Sequence, residues 1–391
     1  MTAGSMLLLL MAVAPLLILE AAPAQAQSIA EIDAIVRQGI KQGVYPGAVV
    51  VIGRKDSILY SRGYGHFTWS SASSVPSPDS TFWDIASITK VMGTTSAAMR
   101  LVDVARLNLD APVRQYLPSF TAGGNRVTVR MLLDHTSGLR AYAPFFKQTK
   151  TRKGAISLLY SEQLVRQPGD KPVYSDLNAI LLGLLLESVY GMPLDSLVAR
   201  EVFEPLQLSG TKYRLNAREK RRTVPTAVWR GHPVQGQVND PNAAVLGGAA
   251  GHAGIFSTGM DLARYAQVWL RNGLGPREQW VSPATMRRFL TRGVNSGPRL
   301  LGWDTPELDG KQPSLFGTLI SPSAYGHTGF TGTELWIDPA HDLFLVFLTN
   351  GTFDPRTRNS HHALRTVRTS LSDAAIKLVP QVCGQDLVAD C

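Results

Sequence analysis

A serine and a lysine at positions 87 and 90 have the spacing that nucleophilic catalysis requires. They lie in residues 82–92, which read FWDIASITKVM. If a helix begins near Ser87, residues three apart share one face, and the Lys90 amine can reach the Ser87 hydroxyl. A serine hydroxyl is a weak nucleophile until a base takes its proton. Lysine can be that base if apolar neighbours such as Ile88, Val91 and Met92 disfavour its charged form.

The S-x-x-K spacing alone is weak evidence, because the chain contains it twice. The second copy, Ser209-Gly210-Thr211-Lys212, lies in a glycine-containing loop before a basic run, and we interpret it as chance. Only the first copy precedes all four of the distinctive polar segments in the chain. They read DHTSGL at 134–139, YSD at 174–176, GHAGIFST at 251–258 and YGHTGFTG at 325–332.

In this order and spacing, the segments resemble those of the penicillin-recognising serine hydrolases. That superfamily includes class C β-lactamases, D-alanyl-D-alanine carboxypeptidases and family VIII carboxylesterases. The resemblance extends over residues 30–370. It implies a β-lactamase/transpeptidase-like fold of the α/β plus all-α class, in which terminal helices flank an antiparallel sheet and a helical domain is inserted.

The resemblance also implies roles for individual residues. Ser87 matches the acylated serine, Lys90 its partner, and Tyr174 the tyrosine that relays protons in acylation and deacylation. Backbone N–H groups of Ser87 and Phe330 would form the oxyanion hole, where each donor contributes about 3–4 kcal/mol. The residues expected to bind substrate or line the cleft are Asp176, His252, His327, Thr328, Gly329 and Phe330.

Two positions depart from the β-lactamase pattern. His327 stands where β-lactamases usually have the lysine of Lys-Thr-Gly, and histidine is mostly neutral at pH 7. Asp176 stands where they usually have an asparagine that contacts the substrate amide, and it adds a negative charge. Both changes favour a peptidase-like or esterase-like enzyme over an efficient β-lactamase, although basic residues elsewhere could still contact a substrate carboxylate.

Three functions remain open at this stage. The first is a hydrolase of a small ester or amide, which includes β-lactam and D-Ala-D-Ala types. The second is a penicillin-binding or peptidoglycan-binding protein that turns over slowly. The third is a non-enzymatic scaffold, which predicts loss of the serine or lysine, whereas both are present. For two residues, a purely structural role is the alternative to a functional one. Tyr174 could be an ordinary buried tyrosine, and His135 could be a histidine that hydrogen-bonds within its own turn.

Other chemistries find little support in the sequence. There is no G-x-S-x-G, P-loop or dinucleotide-binding fingerprint. The formal charge is +9, but no aromatic residues alternate with the basic ones as in a nucleic-acid groove, so we expect no nucleic-acid partner. The two cysteines, Cys383 and Cys391, cannot form a zinc site alone and could form a small disulfide loop. We expect no metal or organic cofactor.

The N-terminus predicts export. Residues 6–19 read MLLLLMAVAPLLIL, which is short for a membrane span, and the A-x-A pattern Ala24-Gln25-Ala26 follows. We therefore predict a signal peptide at 1–26, a periplasmic or secreted location and no stable membrane span after cleavage. The alternative is an uncleaved N-terminal anchor.

Hydrophobic periodicity places the elements that must position these residues. It predicts helices over 29–42, 177–190, 260–271 and 360–378, and hairpins of 48–52 with 57–62 and of 333–337 with 343–348. These elements suggest an α/β domain from 27–100 and 251–380, a helical insertion over 101–250 and a C-terminal tail over 381–391.

Overall fold

In the computed structural model, which describes residues 21–229, 231–307 and 315–379, a five-stranded sheet is assembled from both ends of the chain. Its strands are β1 (Gly47–Arg54), β2 (Ser57–Gly65), β7 (Tyr325–Thr328), β8 (Glu334–Asp338) and β9 (Leu343–Thr349). They lie in the order β2-β1-β9-β8-β7, and every neighbouring pair is antiparallel. Both predicted hairpins are confirmed.

Four short strands lie outside the main sheet. β3 (Trp83–Asp84) pairs with β6 (Phe256–Ser257), and β4 (Pro225–Trp229) pairs with β5 (His232–Gln235). The β3–β6 pair matters for function, because β3 leads directly to Ser87.

Helices occupy both ends of the chain and most of its middle. The α-helices are α1 (Ala21–Lys41), α2 (Ser96–Asp103), α3 (Val113–Tyr116), α4 (Val129–Leu133), α5 (Phe145–Gln148), α6 (Arg152–Tyr160), α7 (Asp176–Tyr190), α8 (Leu194–Val198), α9 (Ala217–Lys220), α10 (Pro241–Val245), α11 (Gly259–Leu270), α12 (Pro283–Phe289) and α13 (Ser360–Lys377). Wider π-helical turns occur at Lys90–Thr95 and Ala199–Phe203, and 3₁₀ turns at Gly124–Arg126 and Pro339–His341. The four predicted helices correspond to α1, α7, α11 and α13.

The central strands are continuously apolar because both faces of the sheet are covered. In β1, Val49 and Val51 belong to the large core shared with α11 and the helical middle of the chain. The alternating residues Val50 and Ile52 face the terminal helices α1 and α13, whose Val36 is fully buried. Successive strand residues point to opposite faces, so a strand buried on both sides loses the usual polar alternation.

Several sequence predictions fall partly or wholly outside the described residues. The apolar run at 6–19 lies there, as do Cys383, Cys391 and the tail at 381–391. The domain boundaries stay a prediction, since one apolar core includes residues of both the sheet and the helical middle.

No single helix in the described residues is long and apolar enough to cross a membrane. One bent pair, Asp176–Tyr190 with Leu194–Phe203, passes the same test by length and composition alone, with 78° between its two parts.

Candidate active site

Ser87 lies in the turn that joins β3 to the following helix. The preceding residue, Ala86, has a φ of 46°, a left-handed conformation that non-glycine residues rarely adopt. The Asp84 carboxylate accepts the Ala86 N–H at 2.9 Å and so holds this turn in place. The helix begins immediately after Ser87, and the Lys90 N–H donates to the Ser87 carbonyl at 3.0 Å. The predicted start of a helix near Ser87 is confirmed.

The Lys90 amine contacts three oxygens below the cleft. It donates to Ser87 Oγ at 2.9 Å and to the His252 carbonyl at 3.1 Å, and it forms an ion pair with Asp176 Oδ1 at 2.8 Å. Gly251 allows the His252 carbonyl to approach, because a Cβ at position 251 would lie 1.9 Å from the Ala179 carbonyl oxygen of α7.

The surroundings of Lys90 favour its charged form over its neutral form. Burial by itself lowers the pKa of Lys90, but Tyr174 and Asp176 outweigh burial, and the pKa lies above its ordinary value. Burial likewise opposes ionisation of Asp176, yet the Lys90 charge keeps the pKa of that carboxyl below its ordinary value. Burial thus acts on Lys90 in the direction that the sequence suggested, but a carboxylate 86 residues away in sequence supplies a counter-charge, and the charged form is favoured.

Tyr174 completes the group of proton carriers. Its ring centroid lies 4.9 Å from Lys90 Nζ, and interactions with Lys90 and Ser87 act to lower the pKa of its hydroxyl. Burial raises the pKa of Tyr174, the Lys90 charge opposes this, and the pKa stays above its ordinary value. The phenol is therefore protonated at neutral pH in the resting enzyme.

His135 positions the Tyr174–Asp176 segment. Its Nδ1 accepts the Ser175 N–H at 3.1 Å and lies 3.2 Å from the Asn178 side-chain amide, and its carbonyl accepts the Val173 N–H at 2.9 Å. Burial lowers the pKa of His135 well below its ordinary value, so the ring is neutral. The prediction that His135 bonds within its own turn was wrong, because its partners lie about 40 residues away.

The loop between β7 and β8, residues 329–333, presents the second candidate oxyanion donor. Thr331 Oγ1 donates to the Asp84 carbonyl at 2.7 Å, and Thr333 Oγ1 donates to the Ile85 carbonyl at 3.2 Å. These bonds tie the 329–333 loop to the segment that carries Ser87. Among the described residues, no protein acceptor pairs with the backbone N–H of Ser87 or of Phe330. Both N–H groups are therefore available to a bound oxygen.

His327 lies on β7 as a neutral, buried ring. Its Nδ1 is 2.8 Å from the Thr328 carbonyl, and its Nε2 has no hydrogen-bond partner among the described residues. Burial is the main cause that lowers the pKa of His327 to about 4. The expectation of a neutral group at this position is confirmed.

The predicted residues converge on one cavity of about 630 Å³. Those that line it are Ser87, Tyr174, Asp176, His252, His327, Thr328 and Phe330. Lys90 lies beneath this surface and is buried, while Gly329 contributes backbone to the 329–333 loop. Two exposed apolar side chains, Tyr142 and Leu315, rim the opening together with Phe330.

Sequence reasoning missed the charged pairs that line this cavity. Arg299 pairs with Asp304, and its guanidinium carbon lies 5.0 Å from the Tyr174 ring centroid. Asp240 pairs with His252, whose Nε2 lies 2.8 Å from Asp240 Oδ1. Burial opposes its ionisation, but His252 and backbone hydrogen bonding hold the pKa of Asp240 at about 2. Neither pair has a motif or local spacing that could have revealed it.

The described residues contain no group of three or more His, Cys, Asp or Glu side chains that could hold a metal ion. The second S-x-x-K sequence is also absent from the cavity. Lys212 instead pairs with Glu219 at 2.6 Å, so Ser209 has no activating amine from that residue.

Comparison with known proteins agrees with this geometry. The Beta-lactamase family matches residues 32–368. A relative from Escherichia coli, provisionally named a D-alanyl-D-alanine carboxypeptidase, is 30% identical over 365 residues, which cover 83% of this chain and 82% of the relative. An N-acetylmuramyl-L-alanine amidase from Bacillus subtilis is 31% identical over 373 residues, which cover 86% and 84%.

A solved structure shows the same fold. The hydrolase EstCE1, described as having promiscuous acyltransferase activity, superimposes with a TM-score of 0.71 at 22% identity and covers 88% of this chain and 99% of its own. The antiparallel sheet with terminal helices is thus the β-lactamase/transpeptidase-like fold expected from the sequence. The chain is a serine hydrolase of the Beta-lactamase family, within the penicillin-recognising superfamily.

Proposed function

We propose that the protein hydrolyses a small ester or amide bond through an acyl-enzyme on Ser87. The observation that carries the proposal is the contact between Ser87 Oγ and Lys90 Nζ at 2.9 Å at the floor of an open cavity, with the Tyr174 ring centroid 4.9 Å from the same amine. A hydroxyl within hydrogen-bond reach of its base is the arrangement that nucleophilic catalysis needs.

Acylation begins when Ser87 Oγ attacks the substrate carbonyl carbon. Its proton passes to the Lys90–Tyr174 pair, the backbone N–H groups of Ser87 and Phe330 stabilise the oxyanion, and the pair then returns the proton to the leaving group. Water attacks the acyl-enzyme by the reverse sequence and frees Ser87.

The Lys90–Tyr174 pair must lose one proton before it can act as a base. The raised pKa values of both groups make this form a minor one at neutral pH, so acylation is expected to accelerate with rising pH. Because the two groups interact strongly, the pH at which activity rises belongs to the pair and not to either residue.

The charges of the cavity favour an uncharged substrate. Each cationic side chain at the site among the described residues has an acidic partner: Lys90 has Asp176, and Arg299 has Asp304. His327 is neutral. A carboxylate on the substrate would therefore meet no unpaired cation there, whereas the exposed ring of Phe330 offers apolar contact.

The proposal places the enzyme outside the cytoplasm. Residues 6–19 and the following Ala24-Gln25-Ala26 support export by a signal peptide. N-terminal sequencing of the protein from a periplasmic or secreted fraction tests this, and a mature chain that still begins at Met1 contradicts it.

A substrate panel tests the chemistry. Wild type, Ser87→Ala and Ser209→Ala are each assayed with short p-nitrophenyl esters, a D-alanyl-D-alanine peptide and a chromogenic cephalosporin. Ser87→Ala is expected to reduce kcat by a factor on the order of 10⁶. Ser209→Ala, the serine of the second S-x-x-K sequence, is expected to behave as wild type.

Intact-mass measurement after rapid quenching should show an acyl adduct on the wild type and on Ser209→Ala only. If Ser87→Ala retains wild-type turnover on every active substrate, Ser87 is not the nucleophile. Turnover that is strongest on the cephalosporin or on the D-alanyl-D-alanine peptide, both of which carry a carboxylate, would contradict the preference for uncharged substrates.

A further inference from the structure

A buried ion pair adjoins the 329–333 loop, and neither of its residues lines the cavity. Glu334, the first residue of β8, is fully buried, and neither of its carboxylate oxygens has a hydrogen-bond partner among the described residues. The Arg368 Nε of helix α13 lies 3.9 Å from Glu334 Oε2. The catalytic steps derived above use neither residue.

The guanidinium of Arg368 is hydrogen-bonded to both ends of the 329–333 loop. Its Nη2 donates to the Thr333 carbonyl at 2.7 Å and to the Gly329 carbonyl at 3.3 Å. The Gly329 N–H closes the loop by donating to the same Thr333 carbonyl at 2.7 Å. The unpaired N–H of Phe330 lies directly after Gly329, so the orientation of the Gly329 peptide determines where the Phe330 N–H points.

We propose that Arg368 is a positioning residue that holds the 329–333 loop so that the Phe330 N–H meets the oxyanion, with Glu334 as its buried counter-charge. The inference rests on the proposed oxyanion role of Phe330. A planar guanidinium can hold two carbonyls in fixed directions at once, which a lysine ammonium on a flexible stem does less well.

Stability alone is a poor explanation for this pair. A buried ion pair is often no more stabilising than apolar residues of similar volume, because removing both charges from water is costly. Glu334 makes that cost larger, since its oxygens lack hydrogen bonds. The bonds that the pair does make end on the 329–333 loop, whose geometry catalysis depends on.

The test compares Arg368→Met and Arg368→Lys with a matched control, Arg100→Met. Arg100 has a comparable ion pair in a more exposed setting: its Nε is 3.9 Å from Glu201 and its Nη1 donates to the Trp280 carbonyl, but it makes no hydrogen bond to the 329–333 loop. Melting temperature, kcat and KM for a neutral p-nitrophenyl ester, and Ki for a phenylboronic acid are measured for each variant. The boronate forms a tetrahedral adduct on a reactive serine and so reports on the oxyanion hole.

Removing an oxyanion donor outright lowers kcat by 10²–10³. For Arg368→Met, which misplaces a donor, we expect kcat to fall about 10–100-fold, Ki for the boronate to rise by a similar factor and KM to change less than about threefold. The kcat and the boronate Ki of Arg368→Lys should lie between those of wild type and Arg368→Met. Arg100→Met should lower the melting temperature and leave kcat per folded molecule within about threefold of wild type.

If Arg368→Met keeps kcat and boronate affinity within threefold of wild type, or if Arg100→Met loses them equally, Arg368 has no positioning role. Should Arg368→Met fail to fold, Arg368→Lys decides: wild-type kcat and Ki overturn the proposal. Ser87→Ala is measured alongside, and if it retains turnover, the error lies in the proposed function and not in the assignment of Arg368.

Discussion

Replacing Asp176 by asparagine tests how the resting charge state controls the enzyme. The change removes a carboxylate whose Oδ1 lies 2.8 Å from Lys90 Nζ while keeping the size of the side chain. At that distance, two unit charges attract by about 6 kcal/mol at an effective dielectric constant of 20. Burial of both groups offsets part of this, and an opposite charge in contact usually moves a pKa by about 1–3.

We therefore expect the pKa of Lys90 to fall by about 1–3, equivalent to about 1.4–4 kcal/mol. The Asp176 charge also raises the pKa of Tyr174, so its removal lowers that pKa too. Both effects make the Lys90–Tyr174 pair lose its proton at lower pH. In a plot of kcat/KM against pH for a neutral p-nitrophenyl ester, the acidic limb should move to lower pH by the same amount, about 1–3 pH units. This holds whichever of the two groups takes the serine proton.

Asp240→Asn is the matched control for this measurement. It removes a carboxylate from the same cavity, but its partner is His252 Nε2 at 2.8 Å and not the Lys90 amine. We expect the acidic limb to move by less than half as much as in Asp176→Asn. An acidic limb that stays where it is in Asp176→Asn, or moves to higher pH, would refute the proposed role of the Asp176 charge.

Three further substitutions follow from the structure. Gly329→Ala puts a Cβ 2.0 Å from Thr333 Oγ1 and 2.6 Å from the Ile85 carbonyl oxygen, so the 329–333 loop must move. We expect kcat for a neutral ester to fall at least about tenfold, and an unchanged kcat would contradict this. His327→Lys replaces a neutral ring by a cation that can pair with a substrate carboxylate, so KM for a chromogenic cephalosporin should fall. An unaltered KM would count against the inference that the neutral His327 weakens the binding of anionic substrates. Burial raises the pKa of Glu334 from 4.5 to about 7, so the folded state loses about 3 kcal/mol of stability as pH rises through that range. Glu334→Gln should remove this loss. If the free energy of unfolding falls equally in wild type and Glu334→Gln between pH 4.5 and 8, the assignment is wrong.

The parts of the site that the sequence predicts correctly have local signals. Ser87 and Lys90 share a helix face, and the Leu177–Tyr190 pattern forms α7 from Asp176 onward. The strands of both hairpins are apolar runs separated by turn residues. In each case, backbone geometry over fewer than twenty residues determines what the side chains do.

The parts that the sequence does not predict depend on contacts between distant segments. The Asp176–Lys90 pair joins residues far apart in the chain and reverses the expected direction of the Lys90 pKa. The Arg299–Asp304 pair and the Arg368 contact with the 329–333 loop likewise come from packing, because nothing in the local pattern indicates which surface an arginine will meet.

The two departures from the β-lactamase pattern act in the same direction. Asp176 adds one negative charge where that pattern has a neutral asparagine, and the neutral His327 removes one positive charge where it has a lysine. The cavity is therefore two charges more negative than in the pattern that binds anionic drugs. Arg299 does not restore the balance, because Asp304 already neutralises it. A cavity with this charge distribution can retain the acyl-transfer chemistry of Ser87 while disfavouring anionic substrates, since the nucleophile and the groups that select the substrate lie on different chain segments.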